Sequence, residues 1–392
     1  MIIEKQDLCK SGSKKYYRMR DFAMICLLGI FMGQSLPIPI VIWRSLFVVL
    51  CWYSIYLRRH QLTQIEKCMN GLAILCSIHF LVSFLWNPSP PITLIGAIIF
   101  TMPACSLFYF LHSKGVINSR WINVACILFL IAAIVNYFFV MRKIMTARNL
   151  EEFNNMTNNS STIFLALIPF VCLSNKRVLQ WGGVLVCWYF LLLAVKRGNI
   201  VGAIIPTIFF LLSYKSEIKR NVFKIIPVLI IVIISGYFIT NWIENNDYLH
   251  IKIMRMAEGD SSERDVVYSY FIEYWLGSNL FHTIFGYGFH ATTEMSVFHL
   301  PAHNDWIESL FDYGIIGFLF ELSIFASFIS LAMKKSRYRL ITLSVFSIWL
   351  EKSMLSMGYM DPLNVFIYIT LGIVLSEMNI ERNNSLMMLK NK

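Results

Sequence analysis

Long apolar runs separated by short polar breaks fill nearly the whole chain. Runs of this length fit helices that cross a membrane, whereas barrel strands read as ~10-residue alternating segments. The first run covers roughly 22–36 and stops at Pro37 and Pro39, because proline breaks a helix. Others follow at about 38–57, 69–86, 92–112, 121–141, 161–174, 178–195, 199–213, 225–242, 314–333, 340–357 and 363–378. The predicted fold is all-α: a polytopic membrane helix bundle with about twelve transmembrane helices, one integral membrane domain over residues 1–392. No cleavable signal is expected, since the first apolar run follows a basic, polar start and no small-residue cleavage site closes it.

The longest polar stretch, 243–304, is predicted as a loop between the ninth and tenth spans, with structure of its own. Asp260-Ser261-Ser262-Glu263 carries a capping-box pattern. Val266, Val267, Tyr270, Phe271, Tyr274 and Trp275 then recur at helical spacing, giving an amphipathic helix of about 261–276 on the bundle or at the lipid interface. Phe285-Gly286-Tyr287-Gly288-Phe289 is a glycine-permitted turn that folds the loop back over the bundle, too short for a nucleotide fingerprint. Pro301 ends any preceding helix, and Asn304 or Asp305 can cap a new one leading into the tenth span. Gly314 and Gly317 would let another helix approach closely.

Composition strengthens the membrane reading: 57% of the residues are hydrophobic and 15% charged, against ~25% charged in soluble domains. The net charge of +11 does not indicate nucleic acid. The cations lie in short clusters between apolar runs: Lys14-Lys15, Arg58-Arg59, Lys114 with Arg120, Lys176-Arg177, Lys215 with Lys219 and Arg220, and Lys334-Lys335 with Arg337 and Arg339. The positive-inside rule puts these in the cytoplasm together with both termini, and leaves 243–304 outside. None of the nine cysteines follows Cys187, and neither a disulfide framework nor a zinc spacing emerges.

Three residues carry candidate chemistry on the outer face. Arg264 falls in the first turn of the amphipathic helix, where free N–H groups and a partial positive charge favour anions. It is either part of a phosphate clamp or a surface arginine paired with Asp260 or Asp265. Arg197 stands outside against the charge rule, with a function or a headgroup contact as the two readings. His303, at the entrance of the helix feeding the tenth span, can accept a proton near neutral pH or serve as a hydrogen-bonded interfacial histidine. Arg44, Glu321, Glu351 and Lys352 lie in or near spans, where a Glu321–Lys352 or Arg44–carboxylate pair would be structural.

The run His303-Asn304, nine residues, Gly314, two residues, Gly317 resembles the signature of the O-antigen ligase and polymerase superfamily. Lys196-Arg197-Gly198 and Ser262-Glu263-Arg264 resemble its two arginine motifs, so the similarity covers about 180–335. The resemblance implies a multi-pass glycosyltransferase of the Gram-negative inner membrane, acting at the periplasmic face on an oligosaccharide carried by undecaprenyl diphosphate. Arg197 and Arg264 would hold the diphosphate and His303 would act as the base, with no metal and no cofactor. Membrane lipids and a chain-length regulator protein are expected partners, and nucleic acid is not. The wording of the motifs is closer to a Wzy-like O-antigen polymerase than to a ligase moving the chain to lipid A-core. A flippase or transporter is the alternative from another class, and would place function in Arg44, Glu351 and Lys352 near the midplane.

Overall fold

The computed structural model describes residues 14–32, 39–85, 91–146, 159–194, 196–213, 264–295, 301–356, 358 and 361–390. Described in chain order, the helices are α1 (Lys14–Met32), α2 (Ile40–Arg58), α3 (Gln64–Ser83), α4 (Ile92–Thr101), α5 (Ala104–Ser113), α6 (Ser119–Met145), α7 (Ser161–Val171), α8 (Arg177–Ala194) and α9 (Arg197–Ser213). After a gap come α10 (Arg264–Leu276), α11 (Leu280–Phe285), α12 (Ala291–Met295), α13 (Asp305–Met333), α14 (Arg339–Leu355) and α15 (Val365–Lys390). No strand occurs among the described residues. The protein is a polytopic helical membrane protein, with seven described segments long and apolar enough to cross a bilayer and two shorter apolar helices, Ser161–Val171 and Gly198–Ser213.

Every predicted span other than 225–242, which lies outside the described residues, corresponds to a helix. The capping-box residues 260–263 and the turn at Pro37 also lie outside them. Three boundaries differ from expectation. The first helix starts at Lys14 and takes its basic residues into the helix. The fourth span is broken into α4 and α5 around Met102-Pro103, since proline has no N–H to continue the ladder. The tenth span and its lead-in run as one element, α13, interrupted at Gly314.

Burial sorts the helices into a lipid-facing shell and a dry interior. On α2, Val41, Val49 and Tyr56 are all more than 60% exposed, the signature of a helix whose outward face meets hydrocarbon. By contrast, α15 is buried on every side from Val365 to Leu375. Phe366 is its hub: its ring packs 4.9 Å from Phe31 of α1, 4.8 Å from Phe129 of α6 and 6.3 Å from Phe170 of α7.

The polar contacts collect at two opposite ends of the bundle, matching the segregation read from the charges. At one end Arg20 donates to the Val116 carbonyl at 2.7 Å and Asn123 donates to Asn175 at 2.7 Å. The fully buried Arg58–Glu66 pair (2.7 Å) and the Arg337–Glu377–His112 chain belong to it as well. Glu66 closes the capping box of α3 with Thr63 at the same time, so its carboxylate has several partners and its burial is compensated. At the other end Lys196 donates to Asn159 at 3.0 Å, and Asn304 donates to the Met354 carbonyl at 3.1 Å.

Candidate active site

A broken helix organises that second end. Gly314 adopts φ 65° and ψ −160° inside α13, a backbone that L side chains rarely adopt. Such a break leaves the carbonyls of Phe311 and Asp312 without their helical donors. The loop supplies them: Tyr287 N–H bonds the Phe311 carbonyl at 3.0 Å, and Gly288 N–H bonds that of Asp312 at 2.9 Å. The fit is backbone to backbone, because a Cβ on Gly314 would meet the Ile284 carbonyl and one on Gly286 would meet the Asp312 carbonyl. The expected turn at 285–289 is present, and Gly314 admits the last turn of α11 as a close-approach point, whereas a Cβ on Gly317 would meet Ser309 and Tyr313 of its own element.

Aromatic stacking holds the rest of the loop in place. Tyr287 lies between His282 (4.4 Å) and Phe311 (4.8 Å), and α10 adds Phe271 and Tyr274 at 5.0 and 5.6 Å from Phe311. A small buried cluster of Val267, Phe271, Ala291, Ala302 and Phe311 lies beneath. The helix expected over about 261–276 packs on the bundle through Val267 and Phe271, but it is not amphipathic as expected, since Val266, Ile272 and Leu276 stay exposed.

His303 sits at the centre of this arrangement, half-buried, with φ 54°. Its backbone N–H donates to Oε1 of the fully buried Glu308 at 2.9 Å. Asn304 caps α13 as expected, accepting from Trp306 N (3.0 Å) and Ile307 N (3.2 Å). The buried Asp305 carboxylate accepts from Gly358 N at 2.9 Å. With the bonds of Asn304 to Met354 and of Trp306 to Ser353, this ties the last turn of α14 and the residues just after it to the histidine segment.

The same turn of α14 reaches the start of α9, the helix that Arg197 opens. Two positions on, Asn199 accepts a hydrogen bond from the Lys352 ammonium. Asn199 in turn donates to Ser161 Oγ (2.6 Å) and Thr162 Oγ1 (3.2 Å). Arg264 opens α10 one turn before Val267, which shares the small cluster with Ala302 beside His303. The backbones at 197, 264 and 303 thus come to one end of the bundle.

Lys352 pairs with Glu351 at 3.4 Å and with Asn199, not with Glu321 as the sequence suggested. Glu351 in turn lies against Gly198 and Gly202 of α9, within 3.0 Å of where each Cβ would stand. The charges of Lys196, Lys352 and Arg44 act on the buried Asp361 carboxyl from a distance, but among the described residues no ion pair joins Arg44 to a carboxylate. Lys352→Ala should remove the buried donor to Asn199 and the ion pair with Glu351, and destabilise the protein by about 1–3 kcal/mol. A thermal unfolding curve in detergent micelles measures the loss.

Residues 182–321 match the O-antigen ligase family model. That span contains the Arg197, Arg264 and His303 segments and Gly317, and bears out the superfamily resemblance expected over about 180–335. The match to the O-antigen ligase family supports a function of the O-antigen polymerase or ligase type, in a multi-pass membrane protein, without separating the two activities. No curated protein matches the chain.

Sequence reading missed Glu308, Asp312, Asn199 and His290. The acids were visible as a 305, 308, 312 helical spacing behind His303-Asn304, but acidic residues in a first turn are ordinary helix starts. Asn199 gave no signal, since its partners come from α7 and α14.

Proposed function

We propose that the chain is an O-antigen polymerase that joins lipid-linked repeat units at the periplasmic face of the inner membrane. The observation that carries the reading is the gathering of the 197, 264 and 303 segments at one end of the bundle around the turn at 351–354 and the Val267–Ala302 cluster. Arg197 and Arg264 hold the diphosphate of an undecaprenyl-linked oligosaccharide. Fixed cations there stabilise the charge that builds on the leaving group. The acceptor sugar hydroxyl attacks the anomeric carbon, the bond from that carbon to the diphosphate oxygen breaks, and undecaprenyl diphosphate departs with the electron pair. His303 takes the hydroxyl proton. A good leaving group makes a second carboxylic acid unnecessary, unlike the two-carboxylate arrangement of soluble glycosidases.

Guanidinium geometry matters to this reading, because a lysine offers no planar two-pronged contact with phosphate. Arg264→Lys should therefore abolish most polymer while the protein stays in the membrane fraction. Normal polymer from that variant would return Arg264 to the role of a surface residue. The family description, O-antigen ligase, favours a second reading in which the chain is passed to lipid A-core. A lipopolysaccharide gel of a deletion strain separates the two. Loss of a polymerase leaves core plus one repeat unit, and loss of a ligase leaves bare core.

A further inference from the structure

We propose that His290 is a second substrate-contacting histidine, set beside His303 to hydrogen-bond the acceptor sugar whose hydroxyl attacks. The proposal rests on the glycosyl-transfer reading above and adds a residue to it. Among the described residues, only two besides glycine have a positive φ, and both are histidines: His290 at 62° and His303 at 54°. L residues rarely adopt this backbone, and such conformations persist where the surroundings enforce them, most often at working sites.

The same device enforces both. Glu308 and Asp312 stand four apart on one face of α13, and both are fully buried. Glu308 takes the backbone N–H of His303 at 2.9 Å. Asp312 takes that of Thr292, two positions after His290, at 2.9 Å. The residues next to the histidines, Ala291 and Ala302, fill the same apolar cluster as Val267. Helix neighbours at this spacing have Cβ atoms about 5–6 Å apart, so the His303 and Thr292 amides that they hold, and with them the two histidine-bearing segments, meet at one place. Two imidazoles issuing from points that close can engage a single sugar residue.

The chemistry of His290 suits a hydroxyl better than a phosphate. Burial pushes its imidazole below the usual histidine range, so the ring is neutral, with one nitrogen donating and the other accepting. Its Nδ1 is buried without a hydrogen-bond partner among the described residues, which leaves Nε2 as the nitrogen for a hydroxyl. A glycine or asparagine would adopt this backbone more easily, so tolerating histidine here points to a use for the ring.

The test separates ring from backbone. His290→Gly keeps the left-handed conformation without strain and removes only the imidazole. Purified protein in nanodiscs is given a lipid-linked repeat unit as donor and acceptor. The expected result is a KM for the acceptor raised about tenfold, the loss of one hydrogen bond, with kcat and the thermal transition unchanged. His290→Asn, which accepts this φ and offers both a donor and an acceptor, should recover part of the KM. A wild-type KM in the glycine variant, or an asparagine variant no better than glycine, overturns the proposal. His303→Gly is assayed in parallel. If it turns over normally, the glycosyl-transfer reading itself fails. If it is inactive while His290→Gly behaves as wild type, only the assignment of His290 fails.

Discussion

Replacing His303 by alanine should lower glycosyl transfer by about 10²–10⁴-fold, the range that a positioned general base contributes. The protein should still insert and fold. The bonds that fix this segment run through the His303 backbone N–H to Glu308 and through Asn304 to Trp306, Ile307 and Met354, and the substitution leaves all of them in place. Alanine is nevertheless strained at φ 54°, by roughly 1–2 kcal/mol. His303→Asn, which tolerates that backbone, is therefore the better partner variant. Turnover of a purified lipid-linked repeat unit and recovery in the membrane fraction check the expectation together. Full activity in both variants would remove His303 from the chemistry and leave it a fold element at the mouth of α13.

Gly314→Ala should disturb the site nearly as severely, through geometry alone. A methyl group there meets the Ile284 carbonyl, and the φ of 65° carries its own penalty. The ways out are to withdraw the loop or to let α13 run straight. Each withdraws the Phe311 and Asp312 carbonyls from the Tyr287 and Gly288 N–H groups. With the loop go Phe289, which packs 5.3 Å from Phe80, and the Asp312 clamp on Thr292. A misplacement of about 1 Å near reacting groups costs on the order of 10²-fold in rate, so activity should fall by at least that. Hydrogen exchange reads the cause directly: the Tyr287 and Gly288 amides should lose protection while those of α15 keep theirs. Unchanged protection at both amides would mean that the break in α13 does not depend on glycine.

The bundle was legible because apolar runs of the length of a bilayer have few other uses. Asn304 was legible as a cap because a short acceptor side chain before an apolar run is a local signal. Glycines 286 and 288 announced a turn and Gly314 a close approach, but not their mutual fit, which depends on two segments more than twenty residues apart meeting main chain to main chain. The same limit explains Lys352. A buried cation must find partners, and spacing cannot tell Glu321 on another helix from Glu351 and Asn199. His290 looked like any lone histidine. Its conformation, and the tie of nearby Thr292 to Asp312, are tertiary facts that no sequence window contains.

The fit between the broken α13 and the 284–288 loop also bears on how such proteins can be recombined. Exchanging the extramembrane segment between two chains would succeed only if both halves of that fit, 284–288 and 311–314, travelled together, since each supplies hydrogen bonds the other lacks. The outward residues of α11, Leu280 and Phe281, at 75% and 64% exposed, are under no such tie. Diversification of this end of the bundle therefore has a natural cassette, rigid at its root and free at its rim.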